Sequence, residues 1–282
     1  MINLVKLKYA LLNNSSKEVI NEIVKIKDVF LHNDEIKNFF EGLAPKDIDY
    51  SNYYALTGSG GSNIIKPNIT SITALYLSVL DIPILKIGSR KRTGCFGSTD
   101  FFNLLDCSKL NKFSYIDSDL MLPQLFYRNI LSLNNSFKNY YEKNVDHIVP
   151  TKGKMVGISN QKRSNLYLNK NHIHKPQKLI VFYSKNKDIT IDEIIPGSVY
   201  INNTKYADIP FENLSSISKN DINLLNYQLL CGTCKNTFWL NSLRYSFAIF
   251  LYEFNFETSL DSSINIFNKI YYSKKLKSIL NI

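Results

Sequence analysis

The stretch ALTGSGGSNIIKPNITS, residues 55–71, holds three glycines within four positions, Gly58, Gly60 and Gly61. The whole chain has 11 glycines in 282 residues, so this clustering is a local feature. A tight turn needing positive φ accounts for one or two glycines but not for three. The apolar run YYALT, 53–57, reads as a short buried strand entering the glycine loop. Residues 70–80 read as a helix capped by Asn68, Thr70 or Ser71, and IPILKI, 82–87, reads as the next strand. Strand, glycine loop, helix and strand make a parallel βαβ unit. Such a loop exposes backbone N–H groups at a helix N-terminus, where the helix dipole adds positive potential. That is a site for an anion such as phosphate or diphosphate. The loop is neither a Walker A sequence nor the spacing G-x-G-x-x-G.

Outward from this unit, residues 3–48 carry helical periodicity, with Ser15 or Ser16 as an N-cap and Pro45 near the end. Residues 98–142 read as mostly helical. KMVGIS (154–159), KLIVFYS (178–184) and SVYI (198–201) read as strands, and 220–282 reads as helical and rich in aromatics. We expect an α/β fold, a mixed sheet flanked by helices, with a smaller helical subdomain. The expected division is residues 1–50 and 105–142 for the helical subdomain, and 51–104 and 143–282 for the α/β domain.

Composition narrows the function classes. The formal net charge is +10, which favours anionic partners. No Lys/Arg block with interleaved aromatics marks a nucleic-acid groove, so no nucleic-acid partner is expected. Four cysteines at 95, 107, 231 and 234 do not form a disulfide framework in a chain of this length. Cys231 and Cys234 have redox or zinc spacing but no second pair at finger spacing, and they read as buried thiols. The apolar run ITALYLSVLDIPIL is broken by Asp81 and Pro83 before it reaches membrane-spanning length. The cytoplasm is the expected location, with peripheral association at the inner membrane face compatible with the basic charge.

Two more stretches carry chemistry. In KIGSRKRTGCFGSTDFFNLL, 86–105, Lys86, Arg90 and Arg92 follow a strand, and a second Gly/Ser turn at Gly97 and Ser98 leads to Asp100, which opens a helix. Basic groups beside such a turn suit a multiply phosphorylated ligand. In TIDEIIPG, 190–197, Asp192 and Glu193 are adjacent in a loop after a strand. Their hard oxygens could hold Mg²⁺ against a diphosphate. We expect this pair to be exposed and to contribute little to stability.

In this order the stretches resemble the anthranilate phosphoribosyltransferases and their relatives, the pyrimidine nucleoside phosphorylases. That superfamily shows G-T-G-G-D-G, N-I-S-T, K-H-G-N-R, G-S-A-D and a later D-E. Here they are matched by Gly58-Ser59-Gly60-Gly61-Ser62, Asn68-Ile69-Thr70-Ser71, Lys86-Ile87-Gly88-Ser89-Arg90, Gly97-Ser98-Thr99-Asp100 and Asp192-Glu193. WLNSL, 239–243, resembles a Leu-Asn helix of the superfamily's C-terminal region, so the likeness spans roughly residues 55–282. The resemblance implies a nucleoside phosphorylase/phosphoribosyltransferase-like fold and a donor, 5-phosphoribosyl-1-diphosphate (PRPP), used with Mg²⁺. It implies that the backbone of Gly58, Ser59, Gly60 and Gly61 holds the diphosphate. Asn68, Thr70 and Ser71 would contact ribose, phosphate and one Mg²⁺, with Arg90 and Ser98 nearby. Lys86 would reach the phosphates, and Asp192 and Glu193 would bind Mg²⁺. A homodimer is compatible with it.

The departures fall on the acceptor side. Ser62 replaces the loop acid, and Ile87 and Ser89 replace the His and Asn of K-H-G-N-R. DHIVPTKGK, 146–154, only faintly echoes the L-G-P-L-T-N-P segment. A site built for one polar acceptor rejects another when its hydrogen-bonding groups change. The reading is therefore phosphoribosyl transfer to an acceptor other than anthranilate, such as a sugar hydroxyl in surface polysaccharide synthesis. A hydroxyl acceptor needs a general base, with Asp146 or His147 as candidates. The alternatives are anthranilate phosphoribosyltransferase with its small aromatic acceptor, nucleoside phosphorolysis, which the Asp192–Glu193 pair disfavours, and a non-catalytic binding protein.

Overall fold

The computed structural model describes residues 49–58, 64–88, 97–117, 149–169, 176–214 and 217–282, with isolated positions (4, 6, 7, 21, 32, 34–36 and 39) before them. The chain divides into two compact units. One comprises Met1–Ser51, Ile116–Pro150 and Lys170–Lys175; the other comprises Asn52–Tyr115, Thr151–Asn169 and Pro176–Ile282. In the first unit Leu7, Ile36 and Phe39 are buried.

The second unit is built on the βαβ start. Strand β1 (Tyr54–Gly58) leads through the glycine loop to helix α1 (Ile69–Ser78) and strand β2 (Ile84–Gly88). β1 pairs in parallel with β2, Tyr54 opposite Ile84, and on its other side in parallel with β4 (Gly153–Gly157). A short helix α2 (Ser98–Phe102) and strand β3 (Phe113–Asp117) come between β2 and β4 in the chain, and β3 lies beside β2. The helical reading of 98–142 is thus corrected over its described part, where the helix stops at Phe102 and a strand follows. Helix α3 (Gln161–Leu168) returns the chain to β5 (Lys178–Asn186), parallel to β4. Strands β6 (Ile189–Ile191), β7 (Gly197–Ile201) and β8 (Thr204–Ile209) add antiparallel pairings, giving an eight-stranded mixed sheet of order β3-β2-β1-β4-β5-β7-β8 with β6 on β5.

Side chains alternate across a strand, and parallel strands covered on both faces are apolar on both. Tyr54, Leu56, Met155, Ile180 and Phe182 enter the main core, whereas Val156 and Val181 pack with Ile158 and Tyr167 of the α3 segment on the other face. The C-terminal helices α4 (Ile222–Leu230), α5 (Thr237–Glu253), α6 (Leu260–Tyr272) and α7 (Lys275–Leu280) complete the unit. Asn236 and Ser259 cap α5 and α6 by accepting from the backbone N–H of Trp239 and Ser262. All ten residues of α1 are buried, as expected for a helix enclosed between a sheet and other helices. The Tyr76 hydroxyl reaches the Leu229 and Leu230 carbonyls at 3.0 Å, which ties α1 to the end of α4. Cys231 and Cys234 are free, buried thiols. Among the described residues no helix is long and apolar enough to cross a membrane.

Phe267 packs against Tyr76, Phe247 and Tyr271 at ring separations of 5.5, 5.4 and 5.3 Å and is fully buried. Phe267→Ala should therefore lower unfolding free energy by about 3–5 kcal/mol. Denaturant unfolding followed by the fluorescence of Trp239, the single tryptophan, measures this. A loss below about 1 kcal/mol would place Phe267 outside the cooperative core.

Candidate active site

In an open α/β sheet, ligands bind beyond the carboxyl ends of the parallel strands, where the chain reverses its direction of travel across the sheet. Here β1 is that strand, since β2 lies on one side of it and β4 on the other. Gly58, at the end of β1, faces Thr70 and Asp192. A Cβ placed on Gly58 would lie 3.9 Å from Thr70 Oγ1 and 4.0 Å from Asp192 Oδ2. Among the described residues, then, no protein atom crowds this backbone, and it borders room at the switch point. The N-terminus of α1 opens at the same place. Its N-cap, Asn68, does not cap the helix with its side chain. Instead Asn68 and Asn226 exchange two hydrogen bonds: the Asn68 N–H donates to Asn226 Oδ1 (2.9 Å) and Asn226 Nδ2 donates to Asn68 Oδ1 (3.0 Å). The helix end is held in place by this pair, and the Ile69 N–H donates to the Pro67 carbonyl at 2.9 Å.

The acidic pair converges on this point. Asp192 and Glu193 follow β6 and are 1% and 5% exposed, which corrects the expectation of an exposed pair. The cause lies in the residues around them. Ile191, Ile194 and Ile195 are fully buried and anchor the loop in the core. The Ile195 N–H also donates to Ser184 Oγ at 3.3 Å, and the Ser242 hydroxyl donates to the Ile194 carbonyl. Lys66 bridges the pair, with Nζ 2.7 Å from Asp192 Oδ1 and 3.0 Å from Glu193 Oε1. The Thr70 hydroxyl donates to Glu193 Oε2 at 2.6 Å. Burial, then the Asp192 charge, hold the Glu193 carboxyl above its ordinary range against the pull of Lys66 and Thr70. Burial alone would lower the Lys66 pKa, but the two carboxylates more than offset it, and the ammonium is held above its ordinary value.

The second Gly/Ser turn lies alongside. Lys86 is within β2 rather than after it and is almost fully buried; its ammonium donates to the Ile87 carbonyl at 2.8 Å. Ser98, the first residue of α2, accepts from the Ser71 hydroxyl at 3.1 Å, joining the two helix starts. A Cβ on Gly88 would lie 2.5 Å from Ser98 Cβ and 3.5 Å from Lys86 Nζ, so Lys86, Gly88, Ser98 and Ser71 form one cluster. Asp100 accepts from the Gly97 N–H at 2.9 Å and fixes the turn.

The structure thus brings together Gly58, Asn68, Thr70, Ser71, Lys86, Ser98, Asp192 and Glu193. Ser59, Gly60, Gly61, Arg90, Asp146 and His147 lie outside the described residues. Three contributors have no place in the sequence reading: Lys66, Asn226 and Gly157. A Cβ on Gly157 would lie 2.1 Å from the Asp192 carbonyl oxygen, so a glycine there lets the acidic loop cross the end of β4. The usable signal for Lys66 was a lysine between the glycine loop and the helix start.

The residues present fit a divalent cation. Asp192 and Glu193 already converge on one cation, the Lys66 ammonium, and the donor set with Thr70 is all hard oxygen. Among the described residues no group of three or more His, Cys, Asp or Glu side chains could hold a metal. A cation on this pair would therefore need further oxygen ligands from substrate phosphates or water, as Mg²⁺ usually has.

No protein-family model matches the chain, and no curated protein matches it in sequence. Solved structures do match in fold. The anthranilate phosphoribosyltransferase of Thermus thermophilus superposes with a TM-score of 0.60 at 14% identity, covering 99% of this chain and 92% of that one. The enzyme of Saccharomyces cerevisiae, in complex with PRPP and Mg, gives 0.61 at 14% identity with the same coverage. A variant of the yeast enzyme with Mg bound gives 0.53 at 11% identity, covering 99% and 95%. The chain has the fold of the anthranilate phosphoribosyltransferases over nearly its whole length.

Proposed function

We propose that the chain is a phosphoribosyltransferase that takes 5-phosphoribosyl from PRPP with Mg²⁺ and releases diphosphate. The observation that carries this is the buried Asp192–Glu193 pair meeting Gly58 and the α1 N-terminus at the sheet's switch point. The fold shared with an enzyme crystallised with PRPP and Mg supports it. Gly58 and the first turn of α1 would bind the diphosphate, with Lys86 on a phosphate oxygen and Ser71 and Ser98 orienting the donor. Bound Mg²⁺, held by Asp192, Glu193 and Thr70, would neutralise charge developing on the diphosphate. The C1–oxygen bond to diphosphate breaks, and the acceptor oxygen bonds to C1 from the opposite face, giving the β-anomer. Its proton passes to a base, for which Asp146 and His147 stay the candidates. The fixed dipoles and charges on the leaving-group side do most of the catalysis.

For the acceptor, the supporting observation is Ile87. It is 5% exposed, apolar and part of β2, where the resembling family has a His. It lacks the hydrogen bond that a His there would make, which supports an acceptor other than anthranilate, and we propose a sugar hydroxyl as that acceptor. Purified protein with PRPP and Mg²⁺ should release diphosphate with glycan acceptors and yield no phosphoribosyl anthranilate. Robust phosphoribosyl anthranilate synthesis, or rescue of a tryptophan auxotroph, would restore anthranilate as the acceptor.

A further inference from the structure

One cation already stands where the proposed Mg²⁺ would bind. Lys66 Nζ is within hydrogen-bond distance of one oxygen of Asp192 and one of Glu193, and Thr70 takes the other Glu193 oxygen. An ammonium and a divalent cation held by the same two carboxylates compete, because their repulsion at a few ångströms is large in a partly buried site. The Lys66 side chain is 17% exposed, against 1% and 7% for the Asp192 and Glu193 side chains it bridges. It also sits in the connection between the glycine loop and α1.

We propose that Lys66 is a tethered competitor for the Asp192–Glu193 cation site: it bridges the pair while no donor is bound and withdraws before a divalent cation enters. This rests on the phosphoribosyl-transfer reading for the metal's role but not for the competition itself. The consequence is coupling. Without the donor, the metal must displace an intramolecular ion pair, and its affinity is low. The diphosphate of an incoming donor offers the displaced ammonium a new anionic partner and the metal additional oxygen ligands, so metal and donor bind together.

The test uses Mn²⁺ as the probe, with free Mn²⁺ read by electron paramagnetic resonance in the absence of PRPP. Lys66→Gln, which keeps an amide to donate to the carboxylates, should bind Mn²⁺ about tenfold or more tighter than the unmodified chain. Asp192→Asn with Glu193→Gln should bind none at this site. Equal or weaker binding by Lys66→Gln overturns the proposal, as does absence of binding in both proteins. A second measurement needs no variant. Reductive methylation read by mass spectrometry should label Lys66 several-fold more when Mn²⁺ is bound, and unchanged labelling of Lys66 under saturating Mn²⁺ also overturns it. The two readings fail separately. Tighter Mn²⁺ binding by Lys66→Gln with no diphosphate released for any acceptor upholds the competition and sinks the transferase. Normal turnover with unchanged Mn²⁺ affinity does the reverse.

Discussion

Under the proposed phosphoribosyl transfer, replacing Asp192 by Asn and Glu193 by Gln together should lower diphosphate release from PRPP by about a thousandfold or more. The two carboxylates are the only acids that meet Gly58 and Thr70 at the switch point among the described residues, and neutral amides there hold a divalent cation poorly. Burial changes how the experiment must be designed. The pair is enclosed and bridged by Lys66, so Ala at both positions would leave a partly buried ammonium without its partners. Breaking a buried ion pair costs up to about 3–5 kcal/mol, which would confuse loss of function with loss of fold. The amides keep the volume and leave each side chain one acceptor oxygen for Lys66, and the Gln at 193 can donate its NH2 to the Thr70 hydroxyl. Steady-state diphosphate release beside far-UV circular dichroism checks this, and full turnover in a folded double variant would remove the pair from the mechanism.

Gly157→Ala should be nearly as damaging, although Gly157 bears no side chain and belongs to a strand. Its Cβ would fall 2.1 Å from the Asp192 carbonyl oxygen and 2.9 Å from Phe182 Cζ. The first of these is backbone, held by buried isoleucines, and cannot swing aside. The acidic loop must shift, and a displacement of about 1 Å in a positioning group costs on the order of a hundredfold in rate. Overpacking also lowers stability by about 1–3 kcal/mol. Gly153→Ala separates the two effects. Its Cβ would meet the Phe254 and Tyr54 rings, 2.5 and 2.8 Å away, at the other end of β4. It should lose stability while its turnover per folded molecule stays near that of the parent. Equal turnover losses in the two variants, measured beside their melting temperatures, would contradict a specific role for Gly157.

These residues show how far the sequence could be read. The unit β1–α1–β2 was legible because a short apolar run, a glycine cluster, a helix-length segment rich in Ile, Leu and Ala, and a second apolar run follow one another in the order of a βαβ unit. β4, β5 and β7 were legible as apolar runs. β8 was not, because Thr-Lys-Tyr-Ala-Asp-Ile lies at the edge of the sheet and faces solvent along most of its length. The Asn202-Asn203 turn before it, with φ of 49° and 67°, was the available signal, since a two-residue hairpin turn of this hand favours asparagine. The site was legible where a motif lies within a few residues, as in Asn68 to Ser71. It was not where partners are far apart: Lys66 stands 126 residues from Asp192, and Asn226 stands 158 from Asn68. The exposure of Asp192 and Glu193 was misjudged because two adjacent acids in a loop usually face solvent. The isoleucines on both sides, which bury them here, carried the contrary information.

Titration calorimetry of PRPP into the purified protein with and without Mg²⁺ tests the central claim most directly. The account predicts saturable binding of PRPP that depends on Mg²⁺, raises the melting temperature as any ligand of the native state must, and is lost in Asp192→Asn with Glu193→Gln. No binding of PRPP at millimolar concentration with Mg²⁺ present, or binding that the double variant leaves unchanged, would contradict it.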